Sequence, residues 1–223
     1  MKKALLGIAA VLGLGVVGLA GAASMQEDHT HLERSITVAA SAEDMSYFAT
    51  DLKGFNEWSP WEGLDPDLKQ EYSDPSGGVG ATYKWSGNDD VGEGIMTVKT
   101  VEDAKVEHDL EFIKPFEGKA MATITWAPKG DQLEVTWAFD QDNGFGSKMA
   151  MLFMDMEAML GADYEKGLAQ LKPVIEKAAT ERKARSEAEA EAKAKAEAEA
   201  KAAAEAKAKA DAAVASGEPP TPE

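Results

Sequence analysis

The period of the hydrophobic positions changes from segment to segment along the chain, and each change marks an element. In "LERSITVAA", Ile36 and Val38 alternate with polar neighbours, the pattern of a strand buried on one face. Ser41 then heads "AEDMSYFATDL", where Asp44 completes a capping-box-like pattern and Met45, Phe48 and Leu52 share a face, which predicts a short helix. Beyond "GFNEWSPWEGLDP" come short stretches separated by polar or Gly/Pro breaks: "KQEYS", "GATYKWSG", "VGEGIMTVKTV", "AKVEHDLEFI", "KAMATITWAP" and "QLEVTWAFD". Breaks of hairpin length predict an antiparallel sheet. In "GSKMAMLFMDMEAMLGADYEKGLAQLKPVIEKAA" the spacing shifts to three and four, aligning Phe153, Met156, Leu160, Tyr164, Gly167, Leu171 and Ile175. This predicts one long amphipathic helix carrying Met149, Met151, Met154, Met156 and Met159, with Pro173 kinking or interrupting its last turns.

The two ends follow neither period. "MKKALLGIAAVLGLGVVGLAGAAS" sets two lysines before an uncharged run, Ala4–Ala23, which as a helix is about 30 Å long and sufficient to cross a bilayer. It reads either as an uncleaved anchor with Lys2 and Lys3 on the cytoplasmic side, or as a signal cleaved near Ala20-Gly21-Ala22. Both readings place the rest of the chain in the cell envelope on the periplasmic side, anchored to the inner membrane or secreted. From Ala178 onward the chain is nearly all Ala, Glu and Lys, with no apolar stripe to bury, and ends in "EPPTPE". The expected organisation is a membrane segment over residues 1–24, a linker over 25–32, one folded domain over 33–177, and a helical or disordered tail over 178–223. The tail reads as a spacer, with a protein partner as the alternative.

Charge sharpens this division. The leader holds two basic residues and the tail eight basic and ten acidic, so the middle holds 23 − 2 − 8 = 13 basic against 40 − 10 = 30 acidic. The whole net charge of −17 therefore belongs to the middle of the chain. Such a domain repels phosphate backbones, which argues against nucleic acid as a partner. Cysteine is absent, removing disulfides, thiolate metal sites and cysteine nucleophiles.

A strand, short helices, six more strands and a long helix make an α+β order. Together with "ERSITVAAS", "WSPW", "GGVGATYKWSGN", "VGEGIMTV", "VTW" and "MDMEAMLGADYEKGLAQLK", it resembles the START/polyketide-cyclase (SRPBCC, helix-grip) superfamily, in its bacterial polyketide cyclase-like branch. The resemblance covers about Glu33 to Lys177. It implies a curved antiparallel sheet wrapped around a long C-terminal helix, with a pocket for hydrophobic molecules. It transfers no reaction residue by residue, and no cofactor or metal is expected.

Candidate binding residues follow from strand parity and from the paired tryptophans. Trp58 and Trp61 flank a Ser-Pro turn and are either a core plug or one wall of a pocket. Tyr83, Trp85, Trp126, Trp137 and Phe139 have inward parity, and Met156 and Leu160 would close the opposite side. His108 shares parity with Val106, Leu110 and Phe112, which makes it a core histidine, a polar group in the pocket wall, or a general acid/base. His29 and His31 read as solvated linker residues, a weak metal site with Asp28 or Glu33 being the alternative. No Ser-His-Asp set is legible around Ser59, and paired carboxylates such as Asp89-Asp90 suit solvated loops. Gly77-Gly78 suits a turn, Gly87-Asn88 positive φ, and Gly92 and Gly94 a bulge or close approach; strands on both sides argue against a phosphate loop. The expected function is noncatalytic binding of a hydrophobic small molecule or lipid. The alternatives are a polyketide cyclase-like or hydrolase-like enzyme using the same cavity, and a partner-docking module acting through the tail.

Overall fold

The computed structural model describes residues 18–216. The expected anchor or signal run falls mostly outside them. Residues 18–24 are helical, and among the described residues no helix is long and apolar enough to cross a membrane. Two compact units divide after Lys177.

In the first unit, β1 (His29–Val38) leads to α1 (Ala42–Thr50) and α2 (Leu52–Asn56), then to β2 (Lys69–Tyr72), β3 (Thr82–Ser86), β4 (Glu93–Glu102), β5 (Lys105–Lys114), β6 (Gly118–Lys129) and β7 (Gln132–Asp142). The seven strands form one antiparallel sheet in the order β1-β7-β6-β5-β4-β3-β2. Ser41 caps α1 in a full capping box with Asp44, as its sequence predicts. Strand β1 begins at His29 rather than after the expected linker, because His29 pairs with Asp142 and the ladder runs unbroken to Val38 opposite Leu133.

The chain then makes two helices where one amphipathic pattern predicted a single helix. α3 (Phe145–Met151) ends, and α4 (Met156–Ser216) begins after a break. Asp155 causes the restart: its Oδ1 accepts from the Ala158 amide at 3.0 Å while its carbonyl accepts from Met159 at 3.1 Å, the arrangement of an N-cap. The five methionines are accordingly divided among α3, the break and α4, and Phe153 is exposed instead of lying on the stripe. Pro173 lies inside α4, which continues past it. In the first unit α4 buries Tyr164, Leu168, Leu171 and Ile175. In the second, every residue from Lys183 to Ala212 is exposed on a continuous helix.

One glycine expectation fails. Neither Gly87 nor Asn88 has positive φ; the Asn88 side chain instead accepts from the Asp90 and Val91 amides, and Gly92, at φ +70°, reverses the chain. A β-bulge follows between Glu93 and Gly94, where a side chain on Gly94 would overlap the Trp85 ring.

Candidate functional site

Alternation in the strands sends one set of side chains to the concave face, but the two halves of that face differ. Toward one end, Val98, Val106, His108, Ile124, Trp126, Leu133 and Val135 are buried in solid packing, with α1 lying over β6. Toward the other end lie Met96, Leu110, Phe112, Ala122, Trp137 and Phe139, which bound a cavity of about 600 Å³. Register puts these residues side by side: Met96 opposes Leu110, Gly94 opposes Phe112, and Ala122 opposes Phe139. The far wall comes from α3 and α4 through Met151, Met156, Met159, Leu160 and Tyr164. A volume in this range suits a small organic ligand.

The tryptophan turn divides its labour. Trp58 is 1% exposed, and its indole N–H donates to the Phe48 carbonyl at 3.1 Å while its ring packs edge-on against Phe55 and Trp137. It is a core plug and does not line the cavity. Trp61 does line it, held by an N–H donated to Asp163 Oδ2 at 3.2 Å. The intervening Pro60 is pinned to α4, its carbonyl accepting from Lys166 Nζ at 2.8 Å. Gly167 admits this contact, since a Cβ there would stand 3.0 Å from Pro60 Cδ and 2.9 Å from Trp137 Cζ3. Trp137 stacks on Tyr164 with ring centroids 3.7 Å apart. Together these contacts fix one end wall.

Tyr83, Trp85, Trp137, Phe139, Met156 and Leu160 line the cavity as their parity or helix position suggested. Trp126 and His108 do not. Their parity is inward, but Trp126 lies near the β6–β7 hairpin and His108 beneath α1 and α2, with the Phe55 ring 6.0 Å away. Parity specifies the face of a strand and not the position along it. His108 is fully buried, and neither ring nitrogen makes a well-formed hydrogen bond, the Ala49 backbone being its polar neighbour. Burial pushes its pKa down to about 4, with the nearby Ala49 backbone pulling weakly the other way. The imidazole is thus a neutral core group at ordinary pH.

The other two histidines belong to the outer face of the β1–β7 pair, not to a linker. His29 Nδ1 lies 3.0 Å from Asp142 Oδ1, and His31 Nδ1 lies 2.7 Å from Asp140 Oδ1. The bond to Asp142, then that to Asp140, raises the pKa of His29. Among the described residues no set of three His, Asp or Glu side chains is placed to hold a metal ion.

One group of polar side chains lies where α2, the tryptophan turn, β2 and β3 meet. Asn56, 8% exposed, donates through Nδ2 to the Tyr72 hydroxyl at 2.6 Å. Gln70 Nε2 bridges Glu62 Oε2 at 2.8 Å and the Tyr83 hydroxyl at 3.2 Å. Burial above all pushes the Tyr83 phenol up to about 12. Asn56, Glu62 and the β5–β6 turn residue Phe116 were not among the candidates from sequence. Asn56 and Glu62 flank the tryptophan turn, so proximity to it was the available signal; Phe116 lies in a turn that no periodicity describes.

A curved antiparallel sheet closed by a C-terminal helix over an apolar cavity defines a helix-grip protein. The chain belongs to the family described as polyketide cyclase / dehydrase and lipid transport, which matches residues 29–176, within the START/polyketide-cyclase superfamily. No curated protein matches the chain. Among solved structures it is similar to the Aha1 dimer from Colwellia psychrerythraea, at 19% identity and TM-score 0.48 over 66% of this chain and 96% of that one. It is also similar to ginseng major latex-like protein 151 from Panax ginseng, at 12% identity and TM-score 0.45 over 66% and 97%. The di-domain ARO/CYC StfQ of the steffimycin biosynthetic pathway aligns at 10% identity and TM-score 0.48, over 70% of this chain and 52% of that one.

Proposed function

We propose that the protein binds a hydrophobic small molecule or lipid without transforming it. The observation that carries this reading is the cavity wall, whose surface is mainly apolar and made largely of aromatic and methionine side chains, with the polar groups dispersed around it. Its chemistry supports binding over catalysis: none of the three histidines lines the cavity, and Ser59, which does, has no base hydrogen-bonded to its hydroxyl. The uncharged run Ala4–Ala23 supports placing this activity in the cell envelope, with the domain on the periplasmic side, either tethered or released by cleavage.

Native mass spectrometry of protein purified without detergent tests the binding reading. The expected spectrum shows a copurified apolar molecule that denaturation releases. An empty protein that also fails to take up the uncharged dye Nile red would overturn it. Membrane fractionation and N-terminal sequencing of the mature chain test the location.

A further inference from the structure

We propose that the cavity selects an uncharged amphiphile, an apolar body bearing a neutral hydrogen-bonding group, over one with a carboxylate or phosphate head. This rests on the binding reading above and concerns what the same cavity accepts.

The charged residues of the wall are Glu62, Asp90, Glu117 and Lys114. Lys114 is the sole cation among them, and it is already engaged, with Nζ 2.7 Å from Glu93 Oε2 and its side chain 70% exposed. On the two helices behind the wall the cations have other partners, while Lys119 of β6 alternates with the lining residue Gly118 and lies on the exposed face of its strand. Lys148 of α3 pairs with Asp28, and Lys166 of α4 donates to the Pro60 carbonyl. An anionic head entering the apolar body of this cavity would surrender its hydration, find no unengaged cation in the wall, and face the exposed carboxylates of its rim. Each of these effects disfavours it.

A neutral head finds partners. Ser59 is 6% exposed and lines the cavity, and its hydroxyl has no hydrogen-bond partner among the described residues. Glu62, whose Oε2 already accepts from Gln70, retains acceptor capacity for a ligand O–H or N–H. A hydroxyl can donate to Glu62 and accept from Ser59, whereas a carboxylate can only accept. A cationic head would suit the carboxylates, but it would have to shed its hydration beside a wall that is mainly apolar. The balance favours the uncharged head.

Displacement of Nile red by dodecanol, dodecanoate and dodecylamine, each below its aggregation threshold at neutral pH, tests the proposal on the full chain. Dodecanol is expected to bind about tenfold or more tightly than dodecanoate. The combined variant Glu62→Gln, Asp90→Asn, Glu117→Gln should narrow that ratio to about threefold or less, which a purely steric preference would not do. Dodecanoate binding as well as the alcohol, a ratio unmoved in the variant, or dodecylamine binding most tightly would overturn the choice of head group while leaving hydrophobic binding intact. Failure of all three ligands and of the dye would overturn the binding reading and this inference with it.

Discussion

His108 is a buried base whose ring nitrogens make no well-formed hydrogen bond and meet only the Ala49 backbone, and it makes stability depend on pH in one direction. Its folded pKa of about 4 lies below the ordinary value of 6.5, so the unfolded chain binds the proton more tightly. Its contribution to stability is fully present above about pH 6.5 and is lost as pH falls toward 4. Between about pH 7 and pH 5 the loss is about 2 kcal/mol. Exposed His29 has a raised pKa and works the opposite way, contributing below the ordinary value and losing its contribution as pH rises through the folded one. Urea melts of the parent and of His108→Leu separate the two: the variant is expected to lose about 2 kcal/mol less over that range, and equal losses would show that the imidazole is not the cause. The tryptophans separate in the same manner. Trp58→Ala should cost about 3–5 kcal/mol of stability, as a truncated core aromatic. Trp61→Ala should instead weaken Nile red binding by about tenfold with a smaller loss of stability, as a wall residue. Equal dye affinity in parent and Trp61→Ala would make Trp61 structural as well.

At the scale of elements, α4 carries two buried glycines that a propensity argument treats alike and the packing separates. Replacing Gly by Ala inside a helix gains about 1 kcal/mol. At Gly167 the added carbon would press on Pro60 and on Trp137, both held by the tryptophan turn and the stack on Tyr164, and overpacking of this kind costs about 1–3 kcal/mol. Gly167→Ala should therefore lower the melting temperature. At Gly161 the obstacle is the Arg34 guanidinium, the end of a long side chain that can swing away from its ion pair with Glu165, so Gly161→Ala should hold or raise it. Thermal melts of the two variants check the contrast, and the same sign for both would refute it. The contrast also shows where sequence stops being informative. All seven strands, α1 with its capping box and the inward parity of the cavity aromatics were legible, because each depends on local period. The α3–α4 break was legible in principle through Asp155, but the methionines around it sustained the helical pattern and concealed the cap. The long-range approach of Pro60 to Gly167, and the division of the concave face into core and cavity, depend on which distant residues meet. No period encodes that.

For the whole molecule, the distribution of apolar residues implies that stability and binding reside in the unit ending at Lys177. The buried core lies in that unit, whereas from Lys183 to Ala212 each residue is exposed on a helix whose apolar residues are all alanine. Alanine and alternating charge favour the helical backbone but provide no face to bury, and helix without tertiary packing adds little to the stability of a domain. Truncation after Lys183 should therefore leave Nile red affinity unchanged and shift the melting temperature by less than about 2 °C, under 1 kcal/mol for a unit of this size. The peptide 184–223 alone should show partial helix by circular dichroism, increasing on cooling, as expected of a helix held by propensity. A melting shift above about 5 °C would mean that the tail packs on something, and its Ala/Glu/Lys composition would then encode an interface in place of a spacer.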